Sequence, residues 1–323
     1  MTLAAPLPPV DSPLELDDPK KSKARKGESL GVRQGGWFVR ITILVVVALW
    51  LIPAVGVLVT SFRPEALADS TGWWTAFSHP FSPGQWTLEN YRLALDTGGF
   101  ENALLNSLAV AIPSTVIPIT IAAFAAYAFS WMEFRGRQAM FVLVVGLMVV
   151  PLQMALIPIL RLYTEGATLG NVEIIPDLDL NGTFLGVWLA HTAFGLPLAT
   201  YLLRNYIGSL PSSIIESAKI DGADHFTIFW RLVVPLSVPA LAAFAIFQFL
   251  WVWNDLLVAY VFLGGTQQTR VVTIALANLV GSRGENWHLL TSAAFITMVL
   301  PLAVFFSLQR YFVRGLTAGS VKG

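Results

Sequence analysis

Asp255 is the one carboxylate that accompanies a long apolar run of this chain, in "FQFLWVWNDLLVAY". Gln248, Trp251 or Val252, and Asp255 recur every three or four residues, so a helix would set them on one face, with Asn254 beside them. An amide, a flat indole and a carboxylate suit a sugar, which offers hydroxyls to hydrogen-bond and an apolar ring face to stack on. Exposing an ionisable group to lipid costs about 2.5–3.5 kcal/mol on insertion scales, so such a residue faces a pathway or a partner group. Three readings stand open. The four residues line a substrate pathway, or Asn254 and Asp255 bond a neighbouring helix or subunit, or Asp255 carries a proton in a secondary transporter.

A second concentration of chemistry lies in "LPSSIIESAKIDGADHFTIFWRLVVP", Leu210 to Pro235, within a chain that is 55% hydrophobic and only 12% charged. Pro211 suits the first turn of a helix, and Ser213 with Glu216 has the spacing of a capping box. The helix should stop at Gly222, where a left-handed residue is easiest to place, with Asp221 and Ala223 on either side. Asp224 then caps a second short helix, His225 to about Leu232, before Pro235 opens the next apolar run. Ser217 and Ala218 give the first helix a small-residue surface beside the Glu216 carboxylate. A helix resting on lipid headgroups would carry Lys and Arg on its polar face. Here acidic residues dominate, which favours docking by another protein.

The remaining polar residues exclude more than they suggest. His79, His191, His225 and His288 are scattered without metal spacing, so no metal site is expected, and His191 in "LAHTAFG" reads as a hydrogen-bonded packing residue. No nucleophile–base arrangement is present, so no catalytic residue and no enzyme activity are expected. The chain has no cysteine, which excludes disulfides and thiolate metal sites. It has no G-x-x-x-x-G-K-[ST] loop, so it cannot hold ATP in a P-loop. Zero net charge gives no long-range attraction to nucleic acid.

The elements that must position these residues are membrane helices. Mean hydropathy is +0.65, and the charged fraction is half the roughly 25% usual in soluble domains. Six stretches lack Asp, Glu, Lys and Arg: Ile41–Phe62, Asn102–Met132, Gln138–Leu160, Leu180–Leu203, Leu232–Asn254 and Asn286–Gln309. Each reaches the roughly 20 residues that cross a hydrocarbon core. The predicted fold is all-α and polytopic, with six transmembrane helices over residues 37–323. A proline-rich, charged and disordered tail occupies 1–36, and a charged helix–glycine–helix loop occupies 209–235.

Lys20, Lys21, Lys23, Arg25 and Lys26 precede the first span, which sets that end in the cytoplasm. With six spans both termini are then cytoplasmic, and the outer side keeps only Arg63, Arg92, Arg161, Arg270 and Arg283. The outer loop from Arg63 to about Glu101, with Trp73, Trp74 and Trp86, is long enough for short interfacial helices. The loop Gly264–Trp287 also faces outward, and its residues read as a solvated connector. Prolines within the spans suit helices that change shape.

The stretch "ESAKIDGADHFTIFWRLVVP" resembles the signature loop of ABC importer permeases, with Glu216, Ser217, Ala218, Gly222, Leu232, Val234 and Pro235 at the family's spacings. Ser217 replaces the usual alanine and stays small. "NSLAVAIPSTVIPITIAAFAAYAFSWMEFRGR", "VVPLQMALIPILRLY" and the terminal "QRYFVRGLTAGSVKG" are similar to the malG-type permease of carbohydrate importers. "LAHTAFGLPLATYLLRNYIGSLP" and "FQFLWVWNDLLVA" are similar to alpha-glucoside permeases. The resemblance implies the type I importer permease fold in the cell inner membrane. It implies a heterodimer with a homologous second permease and a dimer of ABC ATPase subunits gripping the coupling loop, where ATP and Mg are bound. An extracytoplasmic sugar-binding protein would deliver an alpha-glucoside or related oligosaccharide of maltose, sucrose or trehalose type.

Overall fold

The computed structural model describes residues 36–279 and 286–318, with side chains as far as Gln309. The tail expected over 1–36 lies outside the described residues apart from Gly36, as do the side chains of most of the terminal motif and the 280–285 part of the loop expected at Gly264–Trp287. The chain divides into two units, Met1–Ala54 and Val55–Gly323. The described part of the first unit opens helix α1 (Trp37–Ser61). Its Ile43, Leu44 and Trp50 are all exposed. A helix that is apolar on every side belongs in hydrocarbon.

Four more helices are long and apolar enough to cross a bilayer. These are α4 (Phe100–Trp131), α7 (Phe184–Ile207), the continuous run His225–Trp253, and α13 (Trp287–Ala318), whose qualifying part ends at Gln309. The sixth crossing, expected as one helix over Gln138–Leu160, is broken. Helix α5 (Arg137–Gly146) passes through a 3-10 turn at Leu147–Val149, and α6 (Leu152–Glu165) leaves at 105°. Counted as one broken span, the pair brings the total to six. The break has a local cause. Pro151 offers no N–H and disfavours helical geometry at the residue before it, and Val150 accordingly sits at φ −70°, ψ 117°. Val149 and Val150, both β-branched, do little to resist it.

Short elements fill the connections. The loop expected on the outer side holds three short helical elements: α2 (Glu65–Ser70), a 3-10 turn at Trp73–Phe77 and α3 (Glu89–Asp96). Strands β1 (Ala167–Leu169) and β2 (Val172–Ile175) form an antiparallel hairpin that an all-α expectation omits. Gly170 at φ 63° turns the chain between them. Helices α8 (Ser212–Ile220) and α9 (His225–Ile228) follow α7, and a π-helical segment, Phe229–Val233, joins α9 to α10 (Val234–Trp253). After α11 (Leu257–Leu263) comes α12 (Val272–Leu279). Val272–Leu279 of the loop expected from Gly264 is therefore helix, with Val272, Ile274 and Ala275 buried.

The interior of the second unit holds two apolar clusters. One joins Phe100, Val110, Ala190, Phe249, Trp253 and Phe262. The other joins Tyr127, Leu203, Ile207, Ile215, Phe229 and Val233, where the loop between α7 and α10 meets the bundle. Helices α4 and α7 approach through small side chains: Ser107, Ala111, Ser114, Ala122 and Ala126 on one, Gly186, Ala190 and Ala199 on the other, all buried. Lipid gives little apolar driving force between helices, so close packing of small residues and interhelical hydrogen bonds hold such pairs. Trp188 Nε1 donates to Ala109 O at 2.8 Å, and Trp131 Nε1 to Ile207 O at 3.1 Å.

Candidate functional site

Two places gather the residues singled out above. The first is the loop Ser209–Pro235. Helix α8 has Pro211 as its N-cap and no side-chain cap hydrogen bond, so the capping box expected from Ser213 and Glu216 does not form. Proline's fixed φ, −58° here, already presets the entry. The other end is built as expected. Gly222 stands at φ 82°, its N–H donates to Lys219 O at 3.1 Å, and the Ala223 N–H donates to Ala218 O at 2.9 Å. That pair of bonds is the Schellman arrangement, which satisfies the last helical carbonyls and needs a left-handed residue at this position.

Asp224 then caps the next helix, its Oδ1 accepting from the Thr227 N–H at 2.8 Å. The hydrogen bonds from Thr227 hold this carboxyl below its ordinary pKa. The second helix does not stop before Pro235 as predicted. It runs through the π segment into α10, and Pro235 stands just past that wider turn.

The knuckle is anchored on one side and open on the other. Ile215 and Ile228 are fully buried in the second apolar cluster. Glu216, Ser217, Asp221 and Gly222 are exposed, while Ala218 and Ala223 are half-buried. Ser213, Ile214, Ser217, Ala218, Asp221 and Leu232 line a surface groove of about 400 Å³. Ile220 is 86% exposed, an apolar tip that no spacing rule singles out. A carboxylate, small side chains and an uncovered isoleucine together form a surface suited to protein contact.

The second place is the crook of the broken span. Leu147, Met148, Pro151, Phe194, Pro197 and Trp251 line a cavity of about 520 Å³. Backbone that leaves helical geometry at membrane depth is tolerated where it lines a cavity or is buried in protein, and the turn Leu147–Pro151 does line one. Of the four candidate pathway residues, only Trp251 reaches this cavity.

The structure does not bring the other three to the same surface. Gln248 is 1% exposed and donates from Nε2 to Ser114 O at 3.1 Å, tying α10 to α4. Gly195 makes room for it, since a Cβ there would lie 2.7 Å from that nitrogen. Asn254 is exposed and donates back to Leu250 O at 2.7 Å. Asp255 lies past the end of α10 and serves as a cap for α11, its carboxylate accepting from the N–H groups of Val258 at 3.3 Å and Ala259 at 3.0 Å. The same-face expectation fails because α10 ends at Trp253, so Asn254 and Asp255 no longer follow its periodicity.

His191 departs from its expected hydrogen-bonded state. It is fully buried, neither ring nitrogen has a hydrogen-bond partner among the described residues, and Nε2 lies 3.8 Å from Asp255 Oδ2. Its ring meets Trp251 edge-on, with centroids 5.7 Å apart.

Residues 118–318 match the family model described as "Binding-protein-dependent transport system inner membrane component". The chain is 59% identical over 284 residues to the osmoprotective compounds uptake permease protein GgtD of Synechocystis sp. (strain ATCC 27184 / PCC 6803 / Kazusa), covering 88% of this chain and 91% of that protein. It is 60% identical over 242 residues to the alpha-glucoside transport system permease protein AglG of Rhizobium meliloti (strain 1021), covering 75% of this chain and 62% of that protein's length. It is 32% identical over 296 residues to the trehalose transport system permease protein SugB of Mycobacterium tuberculosis (strain CDC 1551 / Oshkosh), covering 91% and 100%. Among solved structures, a chain of a bacterial ABC transporter involved in the import of the acidic polysaccharide alginate superposes with a TM-score of 0.66 at 21% identity, covering 85% of this chain and 95% of that one.

Proposed function

The chain belongs to the family of binding-protein-dependent transport system inner membrane components, and on that premise we propose that it forms one half of a sugar pathway driven by ATP. It is a multi-pass inner-membrane transport subunit, an ABC importer permease and not an enzyme, and ATP hydrolysis belongs to a separate subunit. Its cargo is an alpha-glucoside or a related small glycoside. That reading is supported by likeness to permeases named for alpha-glucosides, trehalose and osmoprotective compounds.

The observation that carries the mechanism is the knuckle at Ser212–Thr227. Its buried side is locked into the bundle by Ile215 and Ile228, and its open side presents Glu216, Ser217, Asp221 and Ile220. We assign that open side to an ATPase of the ABC class, which binds ATP and Mg. A homologous second permease completes a heterodimer, and two ATPase copies grip the two loops. Both termini lie in the cytoplasm, and an exported sugar-binding protein docks on the opposite face. When the ATPases close on ATP, the knuckle moves as a rigid body and the spans tilt. Trp251, at the cavity in the crook of α5 and α6, is the residue on which a sugar ring stacks.

Proton-coupled transport by Asp255 gains no support. Both of its carboxylate oxygens are engaged in capping α11. Reconstitution decides the matter. Proteoliposomes holding this chain, a second permease and the ATPase should take up an alpha-glucoside when ATP and the binding protein are present. A proton gradient without ATP should give no uptake. Uptake by this chain alone would overturn the proposal.

A further inference from the structure

Side chains from two distant parts of the sequence meet where α2 packs on α13. Glu65 and Asp69, one turn apart on α2, and His288, in the first turn of α13, each place a ligand atom within 4.8 Å of the other two. The two carboxylates are exposed. The histidine is not: it is 4% exposed, and its Nδ1 is buried without a hydrogen-bond partner among the described residues. A buried imidazole nitrogen calls for a partner, which none of those residues supplies.

Both sides of this cluster are braced. The carbonyl of His288 accepts from Thr291 Oγ1 at 3.2 Å and Ser292 Oγ at 2.7 Å, and Ser292 Oγ also reaches Ser61 O at 3.0 Å. Arg63, 1% exposed, fixes the loop that carries α2. Its guanidinium donates to Thr71 O at 3.3 Å, Gly72 O at 3.0 Å, Thr71 Oγ1 at 2.6 Å and Thr75 Oγ1 at 3.2 Å. The backbone beneath the three ligands is therefore set, and only two exposed carboxylate side chains remain to adjust.

We propose that Glu65, Asp69 and His288 form a binding site for a first-row divalent transition-metal ion, Zn²⁺ foremost. One imidazole with two carboxylates is a donor set that such ions accept, and three protein ligands leave a position for water. Calcium and magnesium prefer oxygen donors throughout, which the histidine does not provide. An ion about 2.0–2.2 Å from each donor draws the carboxylates inward and clamps α2 to the start of α13. This face lies across the membrane from the knuckle, since the run 225–253 leads away from α8 and α13 begins beyond its far end. The site stands independently of the transport reading.

The test is equilibrium dialysis of the full-length chain in detergent, stripped with chelator and titrated with Zn²⁺ alone. One ion per chain should bind. Asp69→Asn and His288→Gln should each weaken binding by about tenfold or more. His79→Gln, which alters an exposed histidine of the same outer loop, should leave it unchanged. Co²⁺ in place of Zn²⁺ should give visible absorption bands that Glu65→Gln abolishes. Should His288→Gln fail to fold, the exposed Asp69→Asn and Glu65→Gln decide the matter. Equal binding by wild type and the ligand variants, or displacement of Zn²⁺ by equimolar Ca²⁺, would overturn the proposal.

Discussion

The phenol oxygen of Tyr127 lies 2.9 Å from Nδ1 of His225, which joins the end of α4 to the first residue after the capped turn. One turn earlier on α4, Phe124 stacks on Phe229 with ring centroids 4.5 Å apart. The knuckle and the π segment after it are thus tied to α4 by this bond and by several ring contacts, among them Tyr127 with Phe229 and Phe124 with Trp230.

Tyr127→Phe keeps the ring and removes the hydroxyl. The lost hydrogen bond is worth about 1 kcal/mol. Fold and assembly should survive, while the ratio of ATP hydrolysed to sugar moved should rise in the reconstituted complex. An unchanged ratio would show that the bond carries no motion.

At Gly222 the backbone conformation decides what can be substituted. A Cβ there meets no atom within 4 Å, so space is not the constraint, but φ is 82°. Asparagine enters the left-handed region far more readily than a β-branched residue. Gly222→Asn should keep most sugar uptake, whereas Gly222→Val should leave a chain that reaches the membrane in normal amount and transports little. Uptake assays normalised to membrane protein check the pair.

Gly195 presents the opposite case, where space decides. A Cβ would lie 2.7 Å from Gln248 Nε2 and 2.8 Å from Oε1. Gly195→Ala should push the amide off Ser114 O and cost about 1–3 kcal/mol of stability. Thermal denaturation in detergent should show a lowered midpoint, partly restored when Gln248→Ala is added.

Acid should loosen the knuckle through Asp224. Its carboxyl is held below the ordinary range by the hydrogen bonds from Thr227. The stabilisation it lends is present above the usual carboxylate pKa of about 3.9 and is lost as pH falls through the lower folded value. Asparagine caps helices as well but does not titrate. Proteolytic cleavage near residues 222–228 should therefore increase below about pH 4 in the wild type and stay flatter in Asp224→Asn.

Much of this fold is legible in the residue order. Charge-free runs of span length, the left-handed Gly222 and the Asp224 cap follow from rules that act within a few residues. What stays hidden depends on neighbours distant in sequence or on competing local rules. Pro113, Pro118 and Pro197 sit inside unbroken helices, while Pro151, preceded by two valines, ends one. The spacing of Gln248 from Trp251 suggests a pathway residue, whereas the absent side chain of Gly195 lets the amide lie inside the bundle. Asp255 lost its helical phase when α10 stopped two residues short of it. No spacing rule joins Glu65 and Asp69 to His288, because tertiary packing of α2 on α13 brings them together.

The π segment Phe229–Val233 fixes how the two ends of one long helix are rotated about their common axis. Each α-helical residue advances the chain by about 100°, and a π-bulge accommodates one residue beyond the regular count. Deleting a single residue there would heal the helix and swing the azimuth of Glu216 and Ser217 by roughly that angle. Every side chain needed for docking would remain, aimed in the wrong direction.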